Sequence, residues 1–171
     1  MSRFFGRIMQ NGYAVPDWQA AAHHWSEVLG VGPFFALRHI EFDWCEYRGE
    51  AVDLDLSVAI AYSGDYQVEL VQQHNDAPSI YTDFLRNNPP GLQHVGALVE
   101  DLDKTLDQYE LRGKIVQQGM TRAGARFAYL DTVLHNGTML ELIETSETAL
   151  KAFEHMRRAA QGWDGSNPIR G

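Results

Sequence analysis

Residues 10–17, Gln-Asn-Gly-Tyr-Ala-Val-Pro-Asp, can be laid over residues 94–101, His-Val-Gly-Ala-Leu-Val-Glu-Asp, without a gap. Gly12 meets Gly96, Val15 meets Val99 and Asp17 meets Asp101, all at an offset of 84, and the register runs on to Trp25 and Tyr109. A chain that repeats itself once is built from two copies of one supersecondary unit. Each copy opens as a short strand, runs into an Asp and continues as an amphipathic helix. Asp17 and Asp101 stand where a helix N-cap belongs, accepting bonds from otherwise unpartnered N–H groups, so they are assigned structure and no chemistry.

Strand-like runs follow each helix. In the first copy Val52, Leu54, Leu56, Val58, Ile60 and Tyr62 alternate with smaller or polar residues, the period of a half-buried strand. Gly64-Asp65 then reads as a turn into Tyr66-Gln-Val-Glu-Leu-Val71. The second copy gives Lys114–Gln118, Ala125–Leu130, a turn at Asn136-Gly137, and Thr138–Ile143. The closing strands correspond, Val68-Glu69-Leu70-Val71 against Leu140-Glu141-Leu142-Ile143. The fold class expected is α+β, two βαβββ modules in tandem forming an open half-barrel cleft, with residues 1–85 as the first module and 86–171 as the second. One helix cannot cover both faces of a four-stranded sheet, so the two copies must share a buried face. Residues 77–85 predict a linker helix halted by Pro89-Pro90. Residues 147–161 predict a C-terminal helix with Leu150, Phe153 and Met156 on its apolar face, and the Gly- and Asn-rich tail 162–171 reads as loose.

Composition narrows the function. With 14 basic against 23 acidic side chains the net charge is −9, which argues against nucleic acid or an anionic membrane surface as main partner. Cys45 is the single cysteine, so no internal disulfide forms and a reducing compartment is expected. No apolar run approaches the ~18 residues of a membrane span, and Met-Ser-Arg-Phe-Phe-Gly-Arg lacks a signal-peptide core, so a cytoplasmic protein is expected. The sequon at Asn136-Gly-Thr138 is then a coincidence.

Four polar residues fall where packed strands disfavour them. Gln10 and His94 are equivalent near the start of each copy, Glu69 and Glu141 near its end. A carboxylate flanked by Val, Leu and Ile is costly to bury unless paired or bound to a cation, and two that face one another repel unless a shared divalent ion neutralises them. Nitrogen and oxygen donors in this mixture suit Zn²⁺, Ni²⁺, Co²⁺, Fe²⁺ or Mn²⁺.

The repeated strand-Gly-x-x-Val-x-Asp-helix pattern, each copy closing on Val/Leu-Glu-Leu, resembles the vicinal oxygen chelate superfamily, which includes glyoxalase I, methylmalonyl-CoA epimerase, extradiol dioxygenases and bleomycin-resistance proteins. The resemblance spans about residues 7–145 and is strongest from Tyr66 to Asp101. It implies metal ligands at Gln10, Glu69, His94 and Glu141, a set similar to that of glyoxalase I. The epimerase usually has His and Gln where this chain has Gln10 and Glu69. A single histidine in the set counts against ring-cleaving dioxygenase chemistry, which needs two. The implied activity is a metal-dependent isomerase, epimerase or lyase that transfers a proton next to a metal-bound carbonyl of a small-molecule substrate, with Glu141 or Glu69 as base. The alternative is a sequestering protein of the same fold. Trp44, Phe127 and Tyr129 are candidate substrate-binding residues. The family's additional acid/base falls in the stretch holding His39, Glu41 and Glu46, with Glu41 and Glu46 both open. His23-His24 reads as surface, Gly30-Val-Gly32 as a helix-ending turn, and a homodimer is expected.

Overall fold

A computed structural model describes residues 2–131 and 138–171. In chain order the elements are β1 (Ile8–Ala14), α1 (Trp18–Leu29), β2 (Phe34–Leu37), β3 (Phe42–Tyr47), β4 (Glu50–Ala51), β5 (Leu56–Ser63), β6 (Tyr66–Gln73), α2 (Ile80–Asn87), β7 (Gly91–Val99), α3 (Leu102–Gln108), β8 (Ile115–Thr121), β9 (Arg126–Leu130), β10 (Met139–Glu144), α4 (Glu147–Ala160) and β11 (Ile169–Arg170). The expected turn at Asn136-Gly137 lies outside the described residues.

All the strands join one sheet in the order β11-β2-β5-β6-β1-β7-β10-β9-β8-β3-β4. The repeat is written into that order. β1 runs parallel to β6 on one side and antiparallel to β7 on the other, and β7 runs parallel to β10. The two copies therefore meet edge to edge along β1 and β7, which satisfies the open backbone edge of each.

Covalent connectivity bends this sheet. β2 and β3 stand eight strand spacings apart, about 38 Å across a flat sheet. Only four residues separate Leu37 from Phe42, a reach of at most about 19 Å. The sheet must curl until its ends approach, and residues 38–41 bridge the seam. The Ile40 N–H donates to the Leu56 carbonyl on one side (2.8 Å), while the Glu41 carbonyl accepts from the Arg122 N–H on the other (2.8 Å). β3 then pairs with β8, so a hairpin from the first copy extends the edge of the second.

Each face has its own core. On the outer face α1, capped by Asp17 and closed by Gly30 in the left-handed region (φ 66°), lays Trp18 and Ala22 on Ala59, Ala61, Val68 and Leu70. There α3, capped by Asp101, packs Leu102 and Leu106 against Ala97, Ala128, Leu130 and Leu142. Each fully buried large aliphatic stabilises the fold by about 1.5–3 kcal/mol. The inner face holds Val58, Ile60, Tyr62, Phe127 and Tyr129, covered by Ile80, Tyr81 and Phe84 of α2 and Met156 of α4. α2 starts later than residue 77 because Ser79 forms a capping box with Thr82, and it ends at Asn87, with Asn88 extended before Pro89.

The tail is not loose. β11 pairs parallel with β2, Ile169 to Phe34 and Arg170 to Phe35. The Trp163 ring lies against Gly32, where a Cβ would come within 2.7 Å of it. A large aromatic and a backbone ladder outweigh the flexible composition.

Gly12 and Gly96 hold the centre of the sheet. His94 pairs with Gly12 and Gln10 with Gly96 across β1 and β7. A Cβ on Gly12 would land inside the His94 imidazole, and one on Gly96 would overlap the Gln10 side chain. Gly12→Ala is expected to lower unfolding free energy by about 2–3 kcal/mol in urea denaturation, an overpacking cost. Gly113→Ala, with open space around the new methyl, should stay within about 0.5 kcal/mol of wild type.

Candidate metal centre

Register brings the four sequence-selected residues to the middle of the inner face. Glu69 of β6 pairs with Gly12 of β1, which pairs with His94 of β7. Glu141 of β10 pairs with Gly96 of β7, which pairs with Gln10 of β1. The two rows exchange under the pseudo-twofold that relates the copies. Side chains of alternating strand positions share a face, so both rows project inward.

Register shifts fall at Met9, before Gln10, and at Gln93, before His94, again 84 residues apart. Each is a β-bulge, with two residues opposite one. The second lets Gln93 turn toward its neighbour, and Gln93 Oε1 lies 2.8 Å from His94 Nδ1. With Nδ1–H donating to that carbonyl, Nε2 is the nitrogen that points into the centre. In the other copy the Gln10 amide nitrogen donates to Gln67 Oε1 at 2.6 Å, and Gln67 donates to the Tyr62 hydroxyl at 2.7 Å. That chain leaves Gln10 Oε1 as the free acceptor.

His94 Nε2 lies 3.1 Å from Glu69 Oε2 and 3.3 Å from Glu141 Oε2. One atom from each of these three residues falls within 4.8 Å of the others. His94 is fully buried, and the Glu69 and Glu141 side chains are only 12% and 8% exposed. Gln10 Oε1 is buried without a hydrogen-bond partner, and the buried His94 Nε2 and Glu141 Oε2 face each other and Glu69. An unsatisfied buried acceptor is costly, and Gln10 is one of the four residues that the sequence proposes as ligands. Two carboxylates, an imidazole nitrogen and an amide oxygen thus fit a divalent cation of the Zn²⁺ to Mn²⁺ class.

Electrostatics agree. Burial opposes charge on His94, but Glu141 and Glu69 outweigh it and raise the imidazole from 6.5 to about 9. Burial raises the Glu69 carboxyl, and the neighbouring Glu141 adds to the shift while His94 opposes it. Burial and the same carboxylates push the Tyr81 and Tyr129 phenols well above their usual range, so both stay neutral.

The other candidates divide. Tyr129 stands edge-on to the His94 ring at 5.1 Å, shares a 2.8 Å hydrogen bond with Tyr81, and carries Phe127 beside it at 5.7 Å. Trp44 does not join them. It is 39% exposed and lines a surface groove of about 430 Å³, while its neighbours Cys45 and Tyr47 face the inner core. A bulge between Phe42 and Trp44 shifts the phase of β3, which plain alternation does not reveal. Glu41 pairs with the exposed Arg122, and Glu46 accepts from Gln118, so neither approaches the centre. Sequence reasoning misses Gln67 and Gln93, which orient Gln10 and His94. Their signal was polarity at positions 67 and 93 in otherwise apolar runs, next to or two residues from a candidate ligand.

The family profile described as the glyoxalase/bleomycin resistance protein/dioxygenase superfamily matches residues 9–129. The chain belongs to that superfamily. Solved structures with the same fold include a hypothetical protein from Bacillus halodurans, 17% identical, covering 82% of this chain and 95% of its own, with a TM-score of 0.60. Methylmalonyl-CoA epimerase from Mycobacterium tuberculosis is 18% identical, covering 88% and 95%, with a TM-score of 0.60. A Streptomyces coelicolor methylmalonyl-CoA epimerase variant in complex with 2-nitronate-propionyl-CoA is 18% identical, covering 82% and 95%, with a TM-score of 0.53. No curated protein matches the chain. No helix among the described residues is long and apolar enough to cross a membrane.

A cation entering this superfamily member's centre has to displace the His94 proton. That proton is held up to about pH 9, so apparent Zn²⁺ affinity should climb by up to about tenfold per pH unit from neutrality and flatten above about 9. Competition titrations with a chelating dye across that range measure it, and a flat profile would show that His94 is not displaced.

Proposed function

We propose that this chain is a metal-dependent isomerase or epimerase that moves a proton next to a carbonyl of a small substrate. The observation that carries the reading is the convergence of Glu69 and Glu141, one from each copy, on the single nitrogen of His94. Gln10, Glu69, His94 and Glu141 would hold the ion. A bound divalent cation supplies Lewis acidity, stabilising negative charge that develops on a substrate oxygen.

The chain's own groups carry the proton. Glu141 has a buried carboxylate oxygen whose near neighbour is His94 Nε2 at 3.3 Å, a base suited to removing an α-proton. Glu69, held above the usual carboxylate range by burial, is suited to returning a proton from the other side. Carboxylates from opposite copies are what stereochemical inversion requires, since the proton leaves one face and arrives at the other. Neutral Tyr81 and Tyr129 hydroxyls sit within the same wall as donors.

Inner-face packing bears on substrate size. Tyr81, Phe84 and Met156 fill the space above the sheet, which supports a substrate that presents a small head to the carboxylates. The same packing weakens the alternative of a sequestering protein, which needs an apolar cleft open to a bulky compound.

Deuterium wash-in from D₂O, screened over short 2-oxo thioesters and hemithioacetals, is the direct test. With a turned-over substrate, Glu141→Gln should lower the rate about 10²–10⁴-fold while metal content persists. His94→Ala should lower metal content itself, and Gln10→Ala, losing a neutral donor, should be mildest. If Glu141→Gln keeps wild-type turnover, the proton carrier is Glu69. Full activity of the chelator-treated protein would overturn the metal-dependent reading.

A further inference from the structure

The geometry points to a second divalent-metal site, formed by His39, Asp55 and His74 at the seam where the curled sheet nearly closes. One donor atom from each of these residues lies within 4.8 Å of the others. His39 belongs to the link between β2 and β3, Asp55 precedes β5, and His74 follows β6. Glu69 is five residues back along β6, about 16 Å away, so no single ion serves both clusters.

Three features give the cluster the character of a ligand set. First, each side chain is tied down through one atom and keeps another uncommitted. His39 Nδ1 meets Asp55 Oδ1 at 2.6 Å, leaving His39 Nε2 and Asp55 Oδ2. His74 Nε2 meets the Ser57 hydroxyl at 2.7 Å, leaving His74 Nδ1. Second, the buried Ser57 oxygen also accepts the His39 backbone N–H at 3.2 Å, so one anchor positions both histidines. Third, His39 holds a positive φ of 49°, a region non-glycine residues seldom adopt, and its ring stands 4.8 Å from the His74 ring. A backbone so constrained brings two imidazoles beside one carboxylate.

Donors around a tetrahedral Zn²⁺ with bonds of ~2.0–2.1 Å stand about 3.3 Å apart. Bringing donors that already lie within 4.8 Å of one another to that spacing calls for rotation of the His39 side chain, which is 67% exposed and would exchange its contact with Asp55 for the ion. Two imidazoles and a carboxylate make a three-ligand set for a borderline divalent ion, with a fourth position left open. His39 and Asp55 line the 430 Å³ surface groove that also holds Trp44, so the open position faces solvent or a ligand in that groove. The bound ion would fasten the crossover link to the start of β5 and the end of β6.

Equilibrium dialysis of the full chain against Zn²⁺, followed by elemental analysis, tests this independently of the inner-face centre. His94→Ala should still bind one Zn²⁺ per chain, and His94→Ala combined with His74→Ala should bind none. In the wild-type background, His39→Ala, at an exposed position, should lower the count by one. Asp55→Asn should weaken the remaining site of His94→Ala by at least about 100-fold, exceeding the loss typical of a supporting residue. Zn²⁺ should also raise the melting temperature of His94→Ala and not of the double variant. Equal Zn²⁺ content in wild type and His39→Ala, or in the single and double variants, would mean adventitious surface binding and overturn the site.

Discussion

The antiparallel pairing of β1 with β7 is the constraint on which the rest depends. It sets the lead side chain of each copy over the glycine of the other, His94 over Gly12 and Gln10 over Gly96. A side chain at either glycine would expel its partner from the sheet surface. The flanking parallel strands inherit their register from the same pairing, which delivers Glu69 opposite Gly12 and Glu141 opposite Gly96. A slip of one residue would turn all four polar groups into the outer helices. The glycines, the paired bulges and the carboxylates are therefore one device, and the pseudo-twofold axis passes through it.

Curvature follows from a second constraint, the short link between β2 and β3. Because residues 38–41 must join strands near opposite ends of the sheet, the inner face becomes a cup, and α2 and α4 drop into it. Gln117, buried on β8, fixes α2 there by accepting the Ile80 N–H at 3.1 Å. Burial of the centre thus depends on chain segments far from it: the link that curls the sheet and the helices that fill the curl. Low local dielectric strengthens every interaction among Glu69, His94 and Glu141, and it makes each one costly to leave unpaired.

What was legible in the sequence was whatever repeats or alternates locally. The offset of 84 exposed both copies, Asp17 and Asp101 announced their helices, and Glu69 and Glu141 stood out as acids inside apolar strands. What was not legible depends on partners distant in sequence. The bulges at Met9 and Gln93 exist only relative to the opposing strand, so the roles of Gln67 and Gln93 were hidden. Trp44 was misplaced because a bulge in β3 resets its alternation. The tail looked loose because composition cannot show that Trp163 and β11 have a waiting edge at Gly32 and β2. The β3–β4 hairpin reads as part of the first copy, yet it hydrogen-bonds to the second.

The electrostatics of the inner face bear on what can occupy it. Two carboxylates from opposite copies cannot both remain charged in a buried site without a cation between them. The imidazolium of His94 is such a cation, which is why its proton persists to about pH 9 against the cost of burial. A divalent ion would supply twice the charge and release the proton, converting His94 from counter-ion to ligand. The unsatisfied Gln10 Oε1 distinguishes the two occupants. Protonated His94 does nothing for an amide oxygen held by Gln67 over Gly96, whereas a cation at the centre would give that oxygen a partner. The residue that a proton leaves idle is the one whose placement over Gly96 the sheet protects by excluding a side chain.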